Sequence, residues 1–172
     1  YAIAETGLID FADIDTGHCW GAPSYVPNSY YPNAEHREAG KAAKADLSGL
    51  DRKVAVMFTG RINDPVVAEE LIKGGYCDLV GMVRAGIADP EFANKAREGR
   101  LNEIRRCIAC TRCIDEASES LYIPYTPVCS INPVIGNELR WEKEYKRATQ
   151  ARRVVVVGGG LAGCEAARIA AQ

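Results

Sequence analysis

Cys107, Cys110 and Cys113 stand three residues apart, and Cys129 follows after fifteen more. Few folds need three thiols at that spacing, so it constrains this chain more than any other feature. A turn-rich loop of this pattern can aim three sulfurs at one small volume. A cubane iron–sulfur cluster takes four thiolates, one per iron, and often draws three from such a run. Structural zinc more often takes two cysteines from each of two separate knuckles. A disulfide framework favours an even cysteine count in a secreted chain. Here there are seven cysteines and no signal-like segment. The spacing favours a 4Fe-4S cluster on Cys107, Cys110, Cys113 and Cys129, with zinc and metal-free thiols as rivals. Thiolates kept available to metal suit a reducing compartment, so a cytoplasmic location is expected.

A chain of 172 residues that is 47% hydrophobic is long enough and apolar enough to bury a core. Its net charge of −2 gives no nucleic-acid footprint and no basic membrane patch. The longest apolar stretches, such as Val154–Val157, fall far short of the ~20 residues of a membrane span.

The pattern predicts strands over 8–14, 53–59 and 77–83. Between the last two, Asp64 reads as an N-cap, Pro65 as the first helical residue and Gly74-Gly75 as the stop. A strand–helix–strand unit of this length implies parallel pairing. Asp89-Pro90 opens a further helix to about Glu98. Residues 107–137 read as irregular, stapled by whatever the cysteines bind. The charged run 138–152 reads as a solvated linker rather than a helix. A fourth strand over 153–157 leads into Gly158-Gly-Gly-Leu-Ala-Gly163 and a helix. That order of strand, glycines and helix is the context of a dinucleotide fingerprint, with Gly158 for the turn, Gly160 for pyrophosphate approach and Gly163 for helix–strand packing. Cys77 and Cys164 read as small packing residues, and His36 as a surface residue. The opening Tyr1-Ala-Ile-Ala-Glu5 reads as the tail of a helix. The expected second strand and acidic ribose-binding residue would lie ~20 residues beyond the fingerprint. Both ends are therefore expected to be cut, and the fragment alone to be inactive.

Gly60-Arg-Ile-Asn-Asp-Pro-Val-Val-Ala-Glu69, Gly81-Met-Val-Arg-Ala-Gly-Ile-Ala-Asp-Pro90 and Arg106-Cys-Ile-Ala-Cys-Thr-Arg-Cys113 occur in this order. Together they resemble the iron–sulfur branch of the old yellow enzyme (NADH:flavin oxidoreductase) family. That branch includes trimethylamine and dimethylamine dehydrogenases and bacterial 2,4-dienoyl-CoA reductase. The resemblance runs from about Leu8 onward. It implies an α/β architecture: the C-terminal part of a (β/α)8 TIM barrel over 1–106, a cluster loop over 107–137, a linker over 138–152, and the start of a Rossmann-like nucleotide-binding domain over 153–172. It implies FMN with its phosphate at Gly60, Arg61, Val83 and Arg84, a 4Fe-4S cluster on the four cysteines, and FAD, ADP or NAD(P)H in the last domain. The implied function is an oxidoreductase whose flavin exchanges hydride with a small organic substrate while the cluster relays single electrons. Reductase and amine-dehydrogenase chemistry both remain open, as does NAD(P)H or an electron-transfer protein as partner. A zinc-stapled scaffold without catalysis is the reading from another class. His18, after the first strand, is a candidate proton donor or a loop histidine without catalytic weight. Cys19 carries the same two readings. Trp20, Tyr25, Tyr30 and Tyr31 could line a pocket or pack the barrel mouth.

Overall fold

The computed structural model describes residues 1–18, 25–119 and 127–171. The readings placed on Cys19, Trp20 and Pro124 lie outside them. The chain divides into two compact units, Tyr1–Gly136 and Asn137–Gln172.

In the first unit, three strands form one parallel sheet in the order β1 (Phe11–Ile14), β2 (Ala55–Thr59), β3 (Leu79–Gly81). Phe11 stands opposite Ala55, and Met57 opposite Leu79. β2 is central. It buries Val56 and Phe58 on one face and half-covers Ala55, Met57 and Thr59 on the other. Phe58 is fully buried and anchors a core with Val54, Ile62, Leu71 and Cys77. Helix α3 (Pro65–Lys73) crosses from β2 to β3. Its cap forms as expected, with Asp64 accepting from the Val66 N–H at 3.0 Å.

All three strands are shorter than the sequence pattern implies, and side chains account for two of the differences. Arg52 donates to the carbonyls of Gly7 and Ile9 and pairs with Asp10. The Gly7 and Ile9 carbonyls are thus engaged by a guanidinium, while the Asp10 carbonyl accepts from the Ala55 N–H at 3.1 Å. At the start of β3, the Asp78 carboxylate accepts from the Val56 N–H at 2.9 Å and from Lys44 at 3.0 Å. Val83 belongs to a short helix, α4 (Val83–Ala88), and not to β3.

Helix α1 (Ala2–Glu5) bears out the helical opening. Helix α2 (Arg37–Leu47) has no counterpart in the sequence reading. Its buried face of Gly40, Ala43 and Leu47 is built mostly of small residues, and Gly40 lets it approach closely. A Cβ there would meet the Tyr76 carbonyl at 2.8 Å and the Phe58 side chain at 3.3 Å. Helix α5 (Phe92–Arg97) starts slightly later than Asp89-Pro90 suggests, and a 3-10 turn (Leu101–Glu103) follows. The cysteine segment is less irregular than expected, since helix α6 (Arg112–Glu119) starts inside it. The Thr111 carbonyl accepts from the N–H groups of Ile114 and Asp115 and so begins that helix.

In the second unit, the run expected to be a linker instead forms helix α7 (Glu138–Glu144). An Arg140–Glu144 pair at 3.0 Å and a Trp141–Tyr145 stack at 4.2 Å, each four residues apart, support it. The expected fourth strand over 153–157 forms no ladder among the described residues. Val155 and Val157 are exposed, and a strand without a neighbour leaves its backbone groups to water. Helix α8 (Leu161–Ala170) follows the glycines.

Candidate functional site

The C-terminal ends of the three parallel strands border a cavity of about 240 Å³. Gly60, Arg61, Val83 and Arg84 all line it, together with Asp15, Thr59, Asn63 and Cys107. Arg61 follows β2 in the left-handed region, at φ 48°, and its carbonyl accepts from the Ala34 N–H at 3.3 Å. Its Nε is buried without a hydrogen-bond partner. A buried donor on a cationic group is costly to leave unpaired, and an anionic group in the cavity would satisfy it. Arg84 donates from Nη1 to the Pro27 carbonyl at 2.8 Å. These residues therefore suit an anionic group such as a phosphate.

Asp15 was missed by sequence reasoning. Burial of its carboxyl is the largest influence and pushes its pKa above the usual value, even though the residue as a whole is exposed. The Thr16 N–H donates to it at 2.9 Å and acts in the opposite sense. His18 is exposed and is not among the residues lining the cavity. Tyr25 lines it, whereas Tyr30 is exposed and Tyr31 half-buried. His36 is half-buried, not a surface residue, and its Nε2 is buried without a hydrogen-bond partner.

A narrow crevice adjoins this cavity. Cys107, Cys110, Cys113 and Cys129 all line it, with Arg84, Ser130 and Ile87. Ala109 and Thr111 flank Cys110 at φ 53° and 60°. These two reversals fold the short run so that its three cysteines face one space. The Ala109 N–H donates to Cys107 Sγ at 3.3 Å, and the Ile131 N–H to Cys129 Sγ at 3.4 Å. Cys110 Sγ and Ser130 Oγ are hydrogen-bonded at 3.4 Å. That bond outweighs burial and holds the Cys110 thiol below its ordinary pKa. Burial pushes the Cys113 thiol up, and the neighbouring Cys107 and Cys129 push it further. No disulfide joins the described cysteines. Among the described residues, no three possible ligands are drawn together as one metal ion would draw them.

Four ties fasten this loop to the sheet unit. Asn63 donates to the Cys107 carbonyl. Arg106 pairs with Asp64, the cap of α3. Asp89, 1% exposed, accepts from Lys95 at 2.7 Å, from the Arg105 N–H at 2.9 Å and from the Glu91 N–H at 3.1 Å. Asn132, 2% exposed, donates to the Ile87 carbonyl at 2.9 Å and accepts from the Val134 N–H at 3.1 Å.

In the second unit, Gly158 lies at φ 108° and Gly160 caps α8. A Cβ on Gly163 would fall 1.9 Å from the Gly158 carbonyl oxygen, so only glycine lets this helix close on its own turn. Cys164 is exposed on α8, whereas Cys77 is buried in the core.

Curated relatives align with this arrangement. The chain is 44% identical over 121 residues to an NADH oxidase of Thermoanaerobacter brockii, covering 69% of this chain and 18% of that protein. It is 34% identical over 172 residues to an N,N-dimethylglycine/sarcosine dehydrogenase of Chromohalobacter salexigens, covering 97% and 24%. It is 32% identical over 166 residues to a dimethylamine dehydrogenase of Hyphomicrobium, covering 94% and 21%. The chain thus spans no more than a quarter of the length of these relatives. Residues 24–103, which hold β2, β3 and both cavity arginines, match the NADH:flavin oxidoreductase / NADH oxidase family, and the chain belongs to that family.

Proposed function

We propose that this chain is part of a flavin oxidoreductase that uses FMN and a 4Fe-4S cluster. The observation that carries the reading is the adjacency of two cavities, one lined by arginines and one by four cysteines. They share Arg84 and Cys107 as a common wall. When bound, the flavin supplies two-electron exchange with an organic substrate and one-electron exchange with the cluster. Arg61 and Arg84, with the backbone at Gly60 and Val83, would hold the phosphate. A cavity of about 240 Å³ takes that end of the nucleotide and not the whole molecule. Cys107, Cys110, Cys113 and Cys129 would ligate the cluster, with the Ala109 and Ile131 N–H groups bonded to ligand sulfurs. The glycine turn before α8 would take a second nucleotide: FAD, ADP or NAD(P)H.

A methylated amine is the substrate class this reading takes first, since methylated amines or demethylation recur in the names of the relatives that align over nearly the whole chain. Relatives named for methylated amines align over 97%, 99% and 94% of the chain, and an alkene reductase/demethylase over 96%, whereas the NADH oxidase aligns over 69%. Enoyl reduction driven by NAD(P)H is the alternative.

Anaerobic loading with iron and sulfide tests the proposal. About four irons per chain are expected, one per thiolate, and Cys129→Ala should lose iron. Binding of one zinc with no iron uptake would leave the scaffold reading standing and overturn this one.

A further inference from the structure

Arg84 is placed differently from every other cation near the cysteines. It forms part of the wall of both cavities. Its Nη1 is fixed on the neutral carbonyl of Pro27 at 2.8 Å. Arg106 is paired with Asp64, and Arg112 lies 3.8 Å from Glu116, so a carboxylate partly cancels each of those charges. Among the described residues Arg84 forms no ion pair. It is also half-buried, and solvent ions screen such a charge less than an exposed one.

We infer that Arg84 couples the two cavities electrostatically: the guanidinium that helps hold an anion in the first also raises the reduction potential of a cluster held by the four cysteines. The inference rests on the proposed cluster ligation. Its side chain borders both sides, with Asp15 in the wall of one cavity and Cys113 in the wall of the other. Reduction adds one negative charge to the cluster, and a fixed cation nearby stabilises that form. Removing the cation makes reduction harder. An anion bound in the first cavity acts in the same direction, because it adds negative charge next to the same wall. Arg84 is thus a positioning residue that makes the state of one cavity felt in the other.

The test uses the full chain, loaded with iron and sulfide and reduced stepwise with dithionite while absorbance and paramagnetic resonance are followed. Arg84→Gln should shift the midpoint to more negative potential, and Arg84→Lys, which keeps the charge, should stay near the parent value. Arg140→Gln, in the second unit, should not move it. Inorganic phosphate added to the parent chain at constant ionic strength should shift the midpoint negative, a readout that needs no variant. Equal midpoints for the parent and Arg84→Gln chains would overturn the inference while leaving the cluster reading intact. An equal shift for Arg84→Lys and Arg84→Gln would also overturn it, since size and not charge would then be responsible. If Arg84→Gln cannot be loaded, an unmoved midpoint under phosphate overturns it. Failure of the parent chain to take up iron would remove the cluster reading, and the inference with it.

Discussion

A left-handed arginine at the end of a central strand is an expensive placement. A non-glycine residue in that region costs about 1–3 kcal/mol, and Arg61 also buries an Nε that nothing in the protein satisfies. Both costs fall on one residue at the mouth of a cavity, which is where a ligand can offset them. Arg61→Gln is therefore expected to weaken FMN retention by about 1.5–3 kcal/mol, the range for a hydrogen bond to a charged group. That corresponds to roughly 10- to 150-fold in affinity. Flavin fluorescence before and after dialysis measures it, and unchanged retention would separate Arg61 from the flavin. Residues such as this arginine and the cysteines were legible in the sequence because their chemistry is local: a charge after a strand, or thiols at a fixed spacing. Asp15, Asn63 and Asn132 were not legible. Each matters through a partner or a cavity wall built by distant segments, and no local pattern records that.

Among the elements, the strands and the capped helix α3 could be read because alternation, Pro65 and Asp64 are local signals. Helix α2 escaped notice because its buried stripe of Gly40, Ala43 and Leu47 is mostly small residues that stand out little among its alanines and charges, and the close approach of Gly40 to Tyr76 is made by a distant segment. Helix α7 escaped because a dense run of charges reads as a linker until the four-residue pairings are seen. The cysteine segment depends on elements it does not belong to. Asn132 joins the stretch after Cys129 to the end of α4 by one hydrogen bond to the Ile87 carbonyl, and its own side-chain carbonyl accepts locally from the Val134 N–H, both in a buried setting. Asn132→Ala would leave the Ile87 carbonyl and the Val134 N–H without that partner, at a cost of about 1–3 kcal/mol. The expected result is a lower urea midpoint and faster iron loss to a chelator than in the parent chain. Loss of stability with unchanged chelation kinetics would show that this tie does not support the cysteines.

At the scale of the whole chain, Asp89 links α5 to the approach of the cysteine run. Burial opposes its ionisation, but hydrogen bonds from Lys95, the Arg105 N–H and the Glu91 N–H outweigh burial and hold its pKa below the usual carboxylate value. Asp78 is lowered as well, first by the Val56 N–H, with burial opposing and Lys44 assisting. A carboxylate with a depressed folded pKa stabilises fully above its unfolded pKa of about 3.9, and that contribution is lost as pH falls through the folded value. The urea midpoint should therefore hold from neutrality to about pH 5 and fall below about pH 4. Asp89→Asn should be less stable at neutral pH and lose less on acidification. A parent midpoint that stays flat down to pH 3 would contradict this account. The turn between β2 and α3 has a different consequence. Gly60 and Arg61 shape the anion cavity, while Asn63 and Asp64, two and three residues beyond Arg61, clamp the cysteine run. An engineer who wished to reshape the arginine-lined cavity alone could not do it by redesigning this turn, because every change made there for that cavity is also a change to the scaffold of the cysteine run.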